Sequence, residues 1–151
     1  SIDLPDLFVH LRPTTPIRKV SVVDKAIEIM LKKRNSSLRS VHETSSSVYK
    51  YFEIKGDKLV TIFNKKKNIE KSNYGRQYFN KTYAPNGYVD IVRTKNISSK
   101  NQLHGSNVFP YITDQVIELD NSFDLKLLRI IMKNWDFIVH ILDINNMLVI
   151  S

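Results

Sequence analysis

The first thirty-odd residues place an apolar run, a proline-containing loop and an amphipathic pattern in series, and this order constrains the fold most. Residues 7–11 are a mainly apolar run that ends before Pro13, and this run predicts a short buried strand. Ser21 then has the features of a helix N-cap, with Asp24 three residues later as an approximate capping box. Apolar residues follow at helical spacing, namely Val23, Ile27, Met30 and Leu31. Strand, loop and helix in this order are half of a βαβ unit.

The rest of the chain continues the alternation of strands and helices. A Lys-Gly-Asp turn predicts a hairpin over residues 49–62, and Asn121 or Ser122 is expected to cap a last helix. Strands are further predicted at residues 38–42, 88–92 and 116–119, with a polar loop at residues 94–107. This order favours an α/β fold with a mixed, mainly parallel sheet. One domain over residues 1–134 is expected, followed by a tail of unknown role at residues 135–151.

Composition narrows the function classes. The 151 residues include no cysteine, which excludes disulfides, thiolate metal sites and cysteine nucleophiles. The net charge of +8 points to anionic partners, although a solvated lysine-rich surface would give the same number. No signal peptide or membrane span is expected, which fits a cytoplasmic protein. The four histidines lack metal-ligand spacing.

Residues 64–84 differ from the rest of the chain. They are polar and basic, with three consecutive lysines at residues 65–67, and they carry four aromatic side chains at Tyr74, Tyr78, Phe79 and Tyr83. We expect an arm that becomes ordered against another surface. A stacking strip for nucleic acid is the alternative interpretation.

The loop at residues 12–18, Arg-Pro-Thr-Thr-Pro-Ile-Arg, is the first candidate site. It follows a predicted strand, and open α/β sheets bind ligands at such strand ends. Arg12 and Arg18 offer planar donors for phosphate or carboxylate, and Thr14 and Thr15 offer small hydroxyl donors. An ordinary polar βα loop would have the same composition, so the chemistry alone leaves both readings open.

Two further features could carry chemistry. Glu118 and Asp120 are two residues apart on a predicted strand, so both carboxylates would lie on one face, where they would suit Mg²⁺. The solvent-exposed face of an ordinary strand has the same alternation of polar residues, which is the alternative interpretation. Gly87, after Asn86, is a turn signal that also allows close approach of a ligand. The sequence has no glycine-rich phosphate-binding motif.

Taken in order, these fragments resemble one family, the acylneuraminate cytidylyltransferases, which include the CMP-sialic acid synthetases and their relatives for legionaminic, pseudaminic and ketodeoxyoctonic acids. Residues 8–18 are similar to that family's strand and Pro-Thr-(Ser/Thr)-Pro-Leu-Arg loop. Other matching segments are residues 38–43, Tyr49-Lys50, Arg76-Gln77, residues 85–91 and Glu118-Leu119-Asp120 with Asp124. The resemblance covers residues 4–133.

The resemblance implies a partial Rossmann-like nucleotidyltransferase sheet with a dimerisation arm at residues 45–84, in a homodimer. The hydroxyl of an acidic eight- or nine-carbon sugar would attack the α-phosphate of CTP or GTP and release pyrophosphate, with Mg²⁺ as cofactor. Arg12, Lys50 and Arg76 would be catalytic, and Glu118 and Asp120 would hold the metal. The sugar and nucleotide pocket would be lined by Arg12, Thr14, Thr15, Arg18, Asn86 and Gly87.

The sequence departs from the family in its first part and at Arg12. The family's strand and basic glycine-rich loop for the triphosphate have no counterpart in these residues, so we expect the purified chain alone to release at most trace pyrophosphate. Arg12 stands where the sialic-acid branch commonly has glutamine, which leaves open another sugar acid or a base other than cytosine. There are two alternatives: a basic module that binds RNA or an acidic glycan, and a non-catalytic dimerising fragment. Neither a nucleic-acid partner nor a membrane partner is the primary expectation.

Overall fold

A computed structural model describes residues 5–62, 69–100 and 102–134, with the side chains of residues 98–100 left out. The strands are β1 (Leu7–His10), β2 (Ser37–Glu43), β3 (Phe52–Lys55), β4 (Lys58–Thr61), β5 (Tyr83–Arg93) and β6 (Val108–Ile112). The α-helices are α1 (Val20–Lys32), α2 (Thr94–Lys100) and α3 (Ser122–Lys133). Short 3₁₀ turns lie at Val48–Lys50, Ile69–Asn73 and Arg76–Tyr78. Within these described ranges, no helix has the length and apolar character needed to cross a membrane.

The protein is a mixed α/β structure built on a four-stranded sheet of order β1-β5-β2-β6. The expected parallel majority was wrong: β5 is antiparallel to both β1 and β2, and among the described strands only β2 and β6 pair in parallel. The physical reason is that β5 inserts between β1 and β2, which themselves run in the same direction. The carboxyl ends of β1, β2 and β6 therefore still meet at one edge of the sheet, where β5 begins.

The core lies between α1 and one face of the sheet. Ala26 and Met30 of the helix pack against Leu38 of β2 and Val89 and Ile91 of β5, and all five side chains are inaccessible to solvent. Removing such apolar surface from water is the main favourable term in folding. The predicted helical stripe is confirmed at Met30 and, partly buried, at Val23 and Ile27, but it was wrong at Leu31, which is 68% exposed. The buried face fixes α1 to the two central strands.

The start of α1 differs from the prediction. The helix begins at Val20, the N-cap is Lys19, and no side chain caps it, so the expected Ser21 cap was wrong. Instead, the Lys19 backbone N–H donates to the hydroxyl of Tyr88, at 2.6 Å. A tertiary hydrogen bond thus satisfies the backbone N–H of the N-cap residue itself. This bond also attaches the end of the proline-containing loop to β5.

The expectation that the first strand is buried was also wrong. Phe8 and Val9 are both about 40% exposed (41% and 39%), although neighbouring strand residues point to opposite faces. Within the described residues β1 pairs on one side only, with β5, and neither of its faces is fully covered. An edge position explains how an apolar run of this kind remains accessible to solvent.

Local predictions elsewhere have mixed outcomes. The hairpin is confirmed as β3 and β4, joined by a turn in which Gly56 has a φ of 64°. The cap of α3 is confirmed as Asn121, with a complete capping box formed with Asp124. The loop expected at residues 94–107 was wrong in its first half, which forms α2 directly after β5. Residues 65–67 and 135–151 lie outside the described residues.

Candidate functional site

The loop at residues 12–18, called the Pro-Thr loop below, lies against the segment that follows β6. The Leu119 backbone N–H donates to the carbonyl of Thr14 at 2.8 Å. The segment at residues 113–120, called the acidic segment below, begins where the Thr113 N–H donates to the carbonyl of Val41 at 2.9 Å. The carboxyl ends of β1 and β6 thus bring these two loops together.

Gly87 lies where these two loops meet the start of β5. Its φ of 62° is in the left-handed region, which residues with a Cβ rarely adopt. A Cβ built on Gly87 would lie 2.9 Å from Thr15 Oγ1, 3.0 Å from Arg12 Cδ and 3.4 Å from Glu118 Oε1. Glycine therefore lets side chains from the Pro-Thr loop and from the acidic segment approach one backbone position.

Arg18 fixes the Pro-Thr loop to β5. Its Nε donates to the carbonyl of Tyr88 at 2.6 Å, and one of its terminal nitrogens donates to the carbonyls of Arg12 (2.6 Å) and Gly87 (3.1 Å). Burial lowers the pKa of the Arg18 guanidinium from its ordinary value. Because these donors are committed to backbone carbonyls, Arg18 shapes the site in this structure.

Thr15 and Asn86 are buried beneath the surface of the site. The Asn86 amide nitrogen donates to Thr113 Oγ1 at 2.6 Å and to the carbonyl of Asp114, so this side chain ties β5 to the acidic segment. Thr15 is completely buried, and its hydroxyl has no hydrogen-bond partner among the described residues. A buried hydroxyl without a partner is unusual in folded proteins. Direct ligand contacts by these two residues stay a prediction.

The two predicted metal ligands lie in the acidic segment, which has no strand. The strand predicted at residues 116–119 was wrong: these residues form no strand, and the Leu119 backbone N–H donates to the Pro-Thr loop. Glu118 is partly buried beside Gly87, and Asp120 is exposed, with its backbone N–H donating to Asp124 Oδ2 at 3.0 Å. Among the described side chains no group of three or more potential metal ligands occurs. Two carboxylates nevertheless fit Mg²⁺, which takes one or two of them together with phosphate and water oxygens.

Lys50 and Arg76 occupy a different part of the molecule. Lys50 donates to the carbonyl of Tyr74 at 3.0 Å, and Arg76 forms an ion pair with Glu43 at 2.7 Å. Glu43 also forms an ion pair with Lys81 at 2.8 Å. The hydrogen bond between these two side chains is the main cause of both pKa shifts: the pKa of Glu43 is lowered and the pKa of Lys81 is raised. A cleft of about 410 Å³ lies over this group.

The prediction that Lys50 and Arg76 join the Pro-Thr loop in one site therefore has no direct contact to support it in the described part of the chain. The cleft is lined by Glu43, Thr44, Ser47, Arg76, Gln77, Phe79, Asn80, Lys81 and Thr82. Because Glu43 is the last residue of β2, the cleft nevertheless opens at the same edge of the sheet as the Pro-Thr loop.

A row of charged side chains crosses the sheet on the face opposite α1. In the strand register, His10 of β1 and Arg39 of β2 both lie directly opposite Asp90 of β5. Directly opposed residues of neighbouring strands share a face. Asp90 is only 4% exposed and pairs with Arg39 Nε at 3.8 Å and with Arg12 of the Pro-Thr loop at 3.6 Å.

His104 completes this cluster from the loop before β6. Its Nε2 lies 3.4 Å from an Arg39 terminal nitrogen, and its carbonyl accepts hydrogen bonds from Ser36 and Ser37 of 2.7 and 2.8 Å. Burial lowers the pKa of His104, partly opposed by the nearby Asp90 carboxylate. Sequence reasoning gave Arg39, Asp90 and His104 no role. One signal was available: an aspartate inside an apolar strand must be paired if it is buried.

Comparison with known proteins adds no identification. No protein-family model matches the chain, and no curated protein matches it. The assignment of a function therefore depends on the residues and geometry described above.

Proposed function

We propose that the chain forms the sugar-binding and metal-binding side of a nucleotidyltransferase that activates an acidic sugar with CTP or GTP. The observation that carries the proposal is the convergence at Gly87 of Arg12, Thr15 and Glu118, which come from two separate segments of the chain. These three predicted site residues have side-chain atoms within 3.4 Å of the position that a Cβ on Gly87 would occupy. The ordered resemblance to the acylneuraminate cytidylyltransferases supplies the reaction.

In this proposal Glu118 and Asp120 hold Mg²⁺ against the nucleotide phosphates. The metal would supply charge neutralisation at the α-phosphate and at the leaving pyrophosphate. The chain's own residues do the positioning: Arg18 and the Thr14–Leu119 hydrogen bond hold the Pro-Thr loop beside Glu118. The partly exposed side chain of Arg12 then faces the sugar. A Rossmann-like sheet, a dimerisation arm at residues 45–84 and a homodimer belong to the same proposal.

The metal site can be tested without turnover by using Mn²⁺ as a paramagnetic substitute for Mg²⁺. We expect Mn²⁺ with CTP to broaden the amide NMR signals of Gly87, Leu119 and Asp120 selectively. Asp120→Asn should abolish the broadening, because one of two carboxylate ligands is lost. Asp24→Asn is the matched control, since it removes an exposed carboxylate from α1.

Broadening centred elsewhere, or broadening that survives Asp120→Asn unchanged, would contradict the metal assignment. Repeating the titration with GTP tests the choice of base. A separate assay for pyrophosphate release from CTP and N-acetylneuraminate checks the expectation that this chain alone turns over at trace rates.

A further inference from the structure

Two arginines share one buried carboxylate on the open face of the sheet. Asp90 lies below the surface, with 5% of its side chain accessible, whereas the side chains of Arg12 and Arg39 each keep 34% of their surface accessible. The carboxylate thus lies beneath two partly accessible arginine side chains. This arrangement places two planar donors at the rim of one charged cluster.

The ion pairs with Asp90 leave N–H donors of the two arginines without a close acceptor in the described part of the chain. The distances of 3.6 and 3.8 Å to Asp90 exceed the usual N–H···O hydrogen-bond length of about 2.7–3.2 Å. Arg39 Nε and His104 Nδ1 are both buried atoms without a hydrogen-bond partner among the described residues. Buried polar atoms of this kind normally have partners, so their lack of one is consistent with a ligand that supplies it.

The charge of the cluster indicates which anion fits. The guanidiniums of Arg12 and Arg39 and the carboxylate of Asp90 together leave one net positive charge. A monoanion balances this charge, whereas a phosphate dianion would leave an excess negative charge beside the buried Asp90. A guanidinium also matches a carboxylate in planar, two-point geometry.

We propose that Arg12 and Arg39, with Asp90 as their internal counter-ion and His104 beside them, bind the carboxylate of the acidic sugar. The inference rests on the proposed function for the identity of the sugar. Lys50 and Arg76, the other two cations expected to be catalytic, already bond Tyr74 and Glu43. Arg39 and Asp90 become specificity-determining residues, because they select a ligand with one negative charge.

The test is direct binding of N-acetylneuraminate to the purified chain by NMR titration, with no nucleotide and no divalent metal. We expect chemical-shift changes at Arg12, Arg39 and His104, and no such changes with the neutral methyl ester of the same sugar. Arg39→Gln should weaken binding about 10-fold or more, because a charge-assisted pair is lost. Arg39→Lys keeps the charge without the planar fork and should retain part of the affinity.

Two further variants complete the test. Arg129→Gln is the matched control, since it removes an exposed arginine of α3 and should leave binding unchanged. Asp90→Asn removes the internal competitor for the guanidiniums, so it should tighten binding several-fold provided that its circular dichroism spectrum stays that of the wild type. If this variant does not fold, the Arg39 pair of variants still decides the question.

Failure to bind the sugar acid, equal binding of the ester, or displacement by equimolar inorganic phosphate would each overturn the carboxylate site. The Mn²⁺ experiment reports on the nucleotidyltransferase assignment independently. Sugar-acid binding without metal-dependent broadening would leave the carboxylate site standing and remove the transfer reaction. Broadening without sugar-acid binding would do the reverse.

Discussion

Replacing Gly87 with alanine tests whether its backbone conformation holds the site together. At a φ of 62° a Cβ costs about 1–2 kcal/mol, because the left-handed region crowds it against the following carbonyl. The same Cβ would lie 2.9 Å from the hydroxyl of Thr15, which is completely buried and has little room to move. Overpacking of this kind typically costs another 1–3 kcal/mol or so. The two terms together predict a loss of about 2–5 kcal/mol in the free energy of unfolding.

Gly56→Ala is a closely matched control. Gly56 has nearly the same φ, 64°, but a Cβ there would meet no atom within 4 Å. Its loss should therefore be only the backbone term, about 1–2 kcal/mol. Urea unfolding of the wild type and both variants, followed by circular dichroism, measures the difference.

Equal losses at Gly56 and Gly87 would refute the reasoning, since they would show that nothing crowds position 87. A second variant separates crowding from strain at the same position. Adding Thr15→Ala to Gly87→Ala removes the hydroxyl that the Cβ meets at 2.9 Å, so the double variant should recover part of the crowding loss, while the 3.0 Å approach to Arg12 Cδ remains. A double variant as unstable as the sum of the two single variants would also count against the contact.

Three further substitutions test other parts of the structure. Arg18→Gln should destabilise the fold by about 2–4 kcal/mol, since it removes hydrogen bonds from a charged donor to three carbonyls, whereas exposed Arg34→Gln should change the urea midpoint little. Asn121→Ala should cost about 0.5–2 kcal/mol in thermal unfolding through loss of the α3 cap, and Ser122→Ala next to it far less. Burial lowers the pKa of His104 below its ordinary 6.5. The contribution of this residue to the free energy of unfolding is therefore fully present above pH 6.5, and it is lost as the pH falls through the lowered pKa. His104→Gln should therefore flatten the decline in urea midpoint from about pH 7 to pH 5, and an unchanged slope would contradict the assignment.

Local sequence patterns predicted the elements whose interactions are local. The stripe of α1, the hairpin turn at Gly56 and the Asn121 cap each depend on neighbours within about four residues. The pairing of β5 depends on strands more than 40 residues away in the chain, as between Val41 and Pro85. Strand direction has no local signature, so the sequence could not show that most strand pairings in this sheet are antiparallel.

The candidate site was predicted only in part, because only some of its residues belong to short local motifs. The Pro-Thr loop, Gly87 and Glu118 are short motifs, and the structure brings them together. The charged row was missed because Asp90 lies inside an apolar strand and its partner Arg39 is a lone arginine in the sequence. The alternation of Glu118 and Asp120 predicted a strand, but an extended segment bonded to a loop gives the same pattern.

The central position of β5 sets the order in which this protein can fold. β1 and β2 are joined through α1, yet they do not pair with each other, since β5 lies between them. During synthesis both strands therefore emerge without their main neighbour, which follows more than 40 residues after β2 begins. The sheet cannot grow by adding each strand to the one before it, and closure of long chain segments precedes most of the stabilising contacts. We infer slow folding limited by the insertion of one strand, with the Pro-Thr loop assembled only when that insertion is complete.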